Sequence, residues 1–327
     1  MSQVLDRLTG YLSENVSEVM VNRPGMVYVD RIGQAGFEMH HTPEITRDTL
    51  DVFAGEVAGS NHKIFNEGQP LLHSTLPTGE RVQVVRPPAC VDEQFIVSIR
   101  RNLHRKLPLS FFTESKYFDD VAIIENAEAH RLETAMQGQS IQLLRDNKVA
   151  EGLKQAVIER KSIMVCGPMS SGKTALASAL LDCIDKEERI GVIEDTEELD
   201  FDLPNSLRLL ANEDNPHYNG AKLIRVCFRL LLGRIIVGEL RNSLVVQYFR
   251  SLMTACKGNI TTAHATSPHE AIELITDLYR EAVPRATPAD IKRMFKATID
   301  IVVFINYDGK VRDCGSVYLP KLDESLG

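Results

Sequence analysis

The rhythm of apolar and polar positions changes once along the chain, near residue 150. Before that point it follows a period of two in 16-VSEVMVN-22 and 26-MVYVDR-31, on either side of Arg23-Pro24-Gly25, and predicts two strands joined by a hairpin turn. Thr42 and Pro43 then stand as N-cap and first helical residue, and apolar spacing at Ile45, Phe53 and Val57 predicts one amphipathic helix. Two more strands are expected at 80-ERVQVV-85 and 95-FIVSIR-100. Side chains alternate across a strand, so Arg81 shares a face with Gln83 and Arg100 with Ser98, the polar face in each case. From about Phe112 to Arg145 the strand signal vanishes and the chain becomes charged and rich in Glu, Ala and Gln, which predicts a helical linker.

From Ala150 onward strands and helices alternate, the pattern of a mainly parallel sheet with helices on both faces. Strands are expected at 162-SIMVC-166, 189-RIGVI-193, 207-LRLL-210, 234-RIIVG-238, 259-NITTA-263 and 300-DIVVFIN-306, with Asp308-Gly309 turning the chain into a final hairpin. Ser267-Pro268-His269-Glu270 and Thr287-Pro288-Ala289-Asp290 both read as helix starts with proline in the first position. The expected division is an α+β domain over residues 1–112, a helical linker over 113–145 and an α/β domain over 146–327. A fragment from about residue 146 carries its own sheet and is expected to fold alone.

At 327 residues, with 43% apolar and 25% charged residues, the composition is that of a two-domain soluble protein. Six scattered cysteines with no C-x-x-C pair argue for reduced thiols in a cytosol and against a zinc site. No apolar stretch has the length of a signal peptide or a membrane span. The net charge of -8 disfavours stable nucleic-acid binding, and the one dense basic cluster, 100-RRNLHRK-106, reads as a solvated strand end.

The stretch 167-GPMSSGKT-174 changes the picture. It satisfies G-x-x-x-x-G-K-[ST], and it lies between a strand-like run ending at Cys166 and an Ala/Leu-rich helix starting at Thr174. Backbone N–H groups and a helix N-terminus therefore converge there on an anion. Gly167, Ser170, Ser171, Gly172, Lys173, Thr174 and Ala175 are the expected nucleotide contacts, with Lys173 on the β and γ phosphates and Thr174 on Mg2+. Pro168 removes one donor and stiffens the loop. Downstream, two apolar runs end in acids, at Glu194-Asp195 and at Gly238-Glu239, on the sheet edge where open α/β sheets place ligands. Glu239 is placed to polarise an attacking water or to support the metal shell, and His264 ends a third strand at the same edge, where a neutral imidazole could report the γ phosphate.

Taken together, these motifs resemble the hexameric traffic ATPases of type IV secretion systems, in the wider secretion ATPase superfamily. The matching stretches are 79-GERVQVV-85, 95-FIVSIR-100, 109-LSFF-112, GPMSSGKT, 189-RIGVIEDTEELDF-201, 234-RIIVGELR-241 and 261-TTAHA-265, in the family's order. The resemblance implies a RecA-like P-loop NTPase domain with a smaller α+β N-terminal domain, and a ring of six subunits in two tiers with nucleotide between the domains. Carried over by residue, it implies Glu194 and Asp195 in the acidic box, Glu239 as the Walker B glutamate, His264 as the histidine-box residue, and Arg81 and Arg100 as N-domain arginines reaching the nucleotide phosphates. It further implies Mg-dependent hydrolysis of ATP driving substrate export or pilus assembly. The protein is then expected in the cytoplasm, peripherally docked at the inner membrane, with secretion-channel proteins and coupling ATPases as partners.

The rival readings are an assembly ATPase of type II secretion or type IV pili, disfavoured by the missing four-cysteine module of the general-secretion branch and by N-domain arginine motifs unlike those of the retraction motors, and a non-hydrolysing nucleotide-gated scaffold. Three departures stand out: Pro168-Met169-Ser170 where the family has Gly-Thr-Gly, 228-FRLLLGR-234 in place of Arg-x-Arg-Pro-Asp, and a longer linker. The second keeps Arg229 and Arg234 but has Leu231 where an arginine is usual.

Overall fold

Period-two alternation becomes a six-stranded antiparallel sheet in residues 1–103, the first of two units into which the chain divides; the second is residues 104–327. The computed structural model describes all residues except 1, 2, 14, 32–35, 102–106, 126–137, 214, 242, 243, 255, 310 and 324–327. Most of the basic cluster therefore lies outside the described residues.

In the first unit, β1 (Val16–Arg23) and β2 (Met26–Arg31) form the predicted hairpin, and β5 (Arg81–Val85) and β6 (Ile96–Arg100) are the other two foreseen strands. The strands β3 (Phe37–His41) and β4 (Leu71–Thr75) are additional and close the two edges, in the order β3-β2-β1-β6-β5-β4. Helices α1 (Gln3–Gly10) and α2 (Arg47–Ser60) complete the unit. The α2 helix begins four residues later than predicted, because residues 42–45 are tied to the hairpin turn: Thr42 N–H donates to the Gly25 carbonyl at 2.8 Å, and Gly25 N–H to that of Ile45 at 2.8 Å. Thr46 is the N-cap instead, its hydroxyl accepting from Thr49 N–H at 3.3 Å while Thr49 Oγ1 accepts from Thr46 N–H at 2.9 Å.

Leu50, Phe53, Ala54 and Val57 of α2 share one core with Val19, Val21, Val82, Val84, Val97 and Ile99 of the sheet. Alternation then places Arg81, Gln83, Ser98 and Arg100 on the opposite face. Arg81 stands directly across β5 and β6 from Arg100, and Glu18 stands opposite Arg100 on β1. Like charges so paired destabilise a sheet, and Glu18 supplies the compensating charge.

The second unit begins with α3 (Leu109–Glu114), β7 (Ala122–Ile124), α4 (Gln139–Arg145) and α5 (Val149–Ile158). After these come β8 (Ile163–Cys166), α6 (Lys173–Leu181), β9 (Ile190–Glu194), β10 (Ser206–Leu210), α7 (Gly220–Cys227), β11 (Arg234–Val237), α8 (Leu244–Thr254) and β12 (Ile260–Ala263). The unit ends with α9 (Pro268–Ala282), α10 (Pro288–Thr298) and the hairpin β13 (Ile301–Tyr307) and β14 (Arg312–Tyr318). The sheet order is β10-β9-β11-β12-β8-β13-β14-β7, parallel except between β13 and β14. Its central strands β8, β11 and β12 are buried at every position because both faces are covered, and most of their residues are apolar. Ile163 and Val165 enter one core with Leu153 of α5 and Leu176 of α6, whereas Met164 and Cys166 enter another with Phe249 of α8 and Phe295 of α10.

The segment predicted as a helical linker contains α4 and the end of α3, but also β7, which pairs in parallel with β14. A three-residue strand is too short for alternation to announce it. Phe112, Tyr117, Phe118, Ile141 and Leu144 are buried in the same core as α5 and α6, the Tyr117 ring lying 5.0 Å from Phe112 and 5.2 Å from Phe118. The rest of the expected helix, residues 126–137, lies outside the described residues.

Parallel strands in register end together. Val237 pairs with Ile193 and with Thr261, and Ala263 with Cys166, so the residues after β8, β9, β11 and β12 emerge along a single sheet edge.

Candidate active site

The phosphate-loop sequence leaves β8 at that edge and enters α6 at Lys173. A Cβ on Gly167 would lie 2.7 Å from Ser171 Oγ and 2.9 Å from the Ile305 carbonyl oxygen, so only glycine fits where the loop crosses β13. Gly172 and Ser170 are both left-handed, at φ +94 and +60. Lys173, 7% exposed, folds back over the loop: its ammonium donates to the carbonyls of Gly167 at 3.0 Å and Pro168 at 2.7 Å, and lies 3.3 Å from His264 Nδ1. Burial pulls the lysine pKa down, and the nearby Glu239 carboxylate opposes it. Ser171 Oγ is buried and has no hydrogen-bond partner among the described residues, as a hydroxyl kept for a phosphate oxygen would be.

His264 links the loop to Glu239. If Nδ1 accepts from Lys173, the proton sits on Nε2, which lies 2.9 Å from Glu239 Oε1 and donates to it; the imidazole is then neutral. Arg241 donates to the other oxygen of Glu239 and, at 2.9 Å, to Asp195. Burial pushes the Glu239 carboxyl up, but the hydrogen bonds from His264 and Arg241 outweigh it and hold the group at about 2. Glu239 is thus ionised throughout the neutral range, an acceptor suited to orienting a water rather than storing its proton. Lys173, His264, Glu239, Arg241 and Asp195 form one connected chain.

Glu194 has a different place. It is 7% exposed, and its Oε1 accepts from the N–H groups of Glu198 at 2.9 Å and Leu199 at 2.8 Å, which anchors the turn after β9. That turn carries Glu198 to the loop, where Oε2 accepts from Thr174 Oγ1 at 3.3 Å. A hydroxyl beside a carboxylate is the hard-oxygen donor set that Mg2+ takes together with nucleotide phosphates, so the residues fit that ion. Among the described residues no three His, Cys, Asp or Glu side chains group into a metal site of their own.

Burial pushes the Glu194 carboxyl up to about 7 against the Leu199 N–H, which favours its ionised form. A folded-state pKa above the ordinary 4.5 means that this group's contribution to stability is full below pH 4.5 and is lost as pH rises through about 7. Glu194→Gln keeps an oxygen for both N–H groups and removes the titration. It is expected to be more stable than wild type at pH 8, by on the order of 3 kcal/mol, with little difference at pH 4.5. Urea unfolding at the two pH values measures this; a wild-type pH profile in the variant would contradict it.

The structure brings Lys173, Thr174, Glu239 and His264 together, places Asp195 on their rim through Arg241, and puts Glu194 behind them. Ala175 follows them in the first turn of α6, while Arg81 and Arg100 belong to the other unit. Arg234 starts β11, at the far edge of the sheet, where it is 2% exposed and binds Glu188 and the carbonyls of Val157 and Gly258. Leu231 is 91% exposed. Sequence reasoning missed Glu198, Arg241 and Arg312. The first two stand inside motifs already singled out, where spacing cannot tell which acid reaches Thr174. Arg312 donates from Nε to the Ser170 carbonyl at 2.9 Å across a separation of 142 residues, which no local signal reveals.

A family profile described as type II/IV secretion system protein matches residues 5–304. The type IV secretion system protein VirB11 of Brucella suis is 28% identical over 326 residues, covering 96% of this chain and 88% of that protein. VirB11 of Bartonella henselae is 30% identical over 301 residues, covering 89% and 84%. Among solved structures, the Brucella suis VirB11 ATPase in complex with sulphate superposes with a TM-score of 0.53 at 27% identity, covering 98% of this chain and 95% of that one.

Proposed function

Because the chain belongs to the type II/IV secretion system protein family, whose profile spans residues 5–304, we propose that it is the ATP-hydrolysing motor of a type IV secretion system. Its fold is that of the RecA-like secretion ATPases, with a smaller α+β unit before the P-loop unit. The observation that carries the reading is the hydrogen-bonded chain from Lys173 through His264 to Glu239 beside the phosphate loop.

The loop's N–H groups, the Ser171 hydroxyl and the α6 N-terminus bind the β and γ phosphates, and Lys173 exchanges carbonyl partners for phosphate oxygens. Thr174 and Glu198 would hold Mg2+, which neutralises charge on the phosphates when bound. Glu239 orients the attacking water. His264 touches both Lys173 and Glu239, so a shift of Lys173 toward phosphate reaches the β12–α9 segment, a route by which hydrolysis moves the protein.

Arg81 and Arg100 are assigned to the phosphates from the first unit, within a ring of six copies. The similar Brucella suis VirB11 ATPase is described in complex with sulphate, an anion of phosphate shape, which is in keeping with an anion-binding site on this fold. No helix among the described residues is long and apolar enough to cross a membrane. The proposed place of work is the inner membrane, beside the secretion channel. Steady-state phosphate release by the full chain with Mg-ATP is the test. Lys173→Ala is expected to lower it by about 10² to 10³-fold without unfolding the protein. Phosphate release absent in wild type would favour a nucleotide-gated scaffold, and an unaffected Lys173→Ala variant would move the site elsewhere.

A further inference from the structure

Ser170 is a non-glycine residue in the left-handed region, at φ +60, inside the phosphate loop. An L side chain rarely stays there unless its surroundings hold it. Lys173 and Arg312 both grip the loop through its carbonyls. Lys173 takes the first part, through the carbonyls of Gly167 and Pro168. The later part is held from the C-terminal hairpin, where Arg312 at the start of β14 donates from Nε to the Ser170 carbonyl at 2.9 Å. The guanidinium lies 4.5 Å over the Tyr307 ring, across the hairpin from Arg312, which fixes its direction. A Cβ on Gly172 would sit 3.7 Å from Arg312 Cδ, so the arginine stem also lies against the last loop residue.

We propose that Arg312 is a positioning residue for nucleotide binding: by clamping the Ser170 carbonyl it keeps a serine in the left-handed conformation that turns the loop N–H groups toward the phosphates. This rests on the nucleotide-binding role proposed for the loop. Glycine adopts that conformation without steric cost, so the clamp matters because position 170 is serine. Arg312 and Ser170 should therefore be coupled, and the coupling separates a clamp from a cation that simply attracts phosphate.

The experiment is a double-mutant cycle on the full chain, reading the Kd for ADP by displacement of a fluorescent nucleotide. Arg312→Ala is expected to raise Kd by roughly 10-fold in the wild-type background and less than about 3-fold when Ser170→Gly is also present. An equal loss in both backgrounds would assign Arg312 to the phosphate charge and overturn the clamp; no loss in either would overturn it as well. Hydrogen exchange of the amides of residues 169–172 without nucleotide supplies the second reading. Arg312→Ala should speed exchange there and not in the sheet, whereas unchanged exchange overturns the clamp even if the chain proves not to bind ADP. A wild-type chain that fails to bind ADP while the variant's loop exchanges faster would refute the nucleotide reading and leave the clamp standing.

Discussion

Replacing Arg81 and Arg100 together by alanine is expected to slow ATP turnover by about 10³ to 10⁵-fold, the loss seen when transition-state arginines are removed. The two residues face each other across β5 and β6, and both lie on the sheet face away from the α2 core. Glu18, opposite Arg100 on β1, offsets part of the repulsion between the two like charges. With alanine at both positions the core side of each strand is untouched, and Glu18 loses its cross-strand partner at Arg100. The fold should survive, and with it the proposed ring of six copies. Turnover of wild type and variant at matched protein concentration, with ring size followed by sedimentation, measures the effect. A double variant that stays hexameric and hydrolyses at the wild-type rate would show that the arginines serve only their own sheet.

Glu239→Gln should bind ATP with near wild-type affinity and hydrolyse it about 10² to 10⁴-fold more slowly. The amide is isosteric, but it carries no charge with which to orient water against the γ phosphate. It also changes the chain of bonds behind it. Glu239 accepts from both His264 and Arg241, and a glutamine offers one oxygen where the carboxylate offers two. Either His264 or Arg241 loses its partner; in the second case Arg241 rests on Asp195. Single-turnover hydrolysis with a parallel binding measurement separates the two effects. Near-normal turnover in this variant would shift the water-orienting role to Glu198, the other carboxylate at the loop.

Much of this site is legible in the sequence because a parallel sheet writes itself plainly. Its central strands are short, mostly apolar runs, and the residues just past them must emerge at one edge: GPMSSGKT after Cys166, Asp195 after Glu194, Glu239 after Gly238, His264 after Ala263. The edge strands are harder. β3 exposes Phe37 and Met39 and carries His40 and His41, so its alternation does not separate a core face from a wet one. The difference between Thr42 and Thr46 as cap depends on backbone hydrogen bonds to a turn seventeen residues earlier, at Gly25. Of the acids in 194-EDTEEL-199, the one at the strand end is buried as an anchor, and Glu198, which the sequence reading passed over, reaches the loop.

The pairing of β7 with β14 bears on where the ATPase unit can be cut free. Cys314 N–H donates to the Tyr117 carbonyl at 2.8 Å, and Leu319 N–H to that of Ile124 at 3.0 Å, so the last strand is sealed by residues that precede the phosphate loop by 43 to 50 positions. A fragment starting at residue 146 would lack that seal together with Phe112, Phe118 and Leu144. It would present β14 as a bare ladder of N–H and C=O groups beside uncovered apolar side chains, the template on which chains stack into aggregates. Excision is therefore better placed ahead of Leu109, so that the fragment keeps its own selvedge.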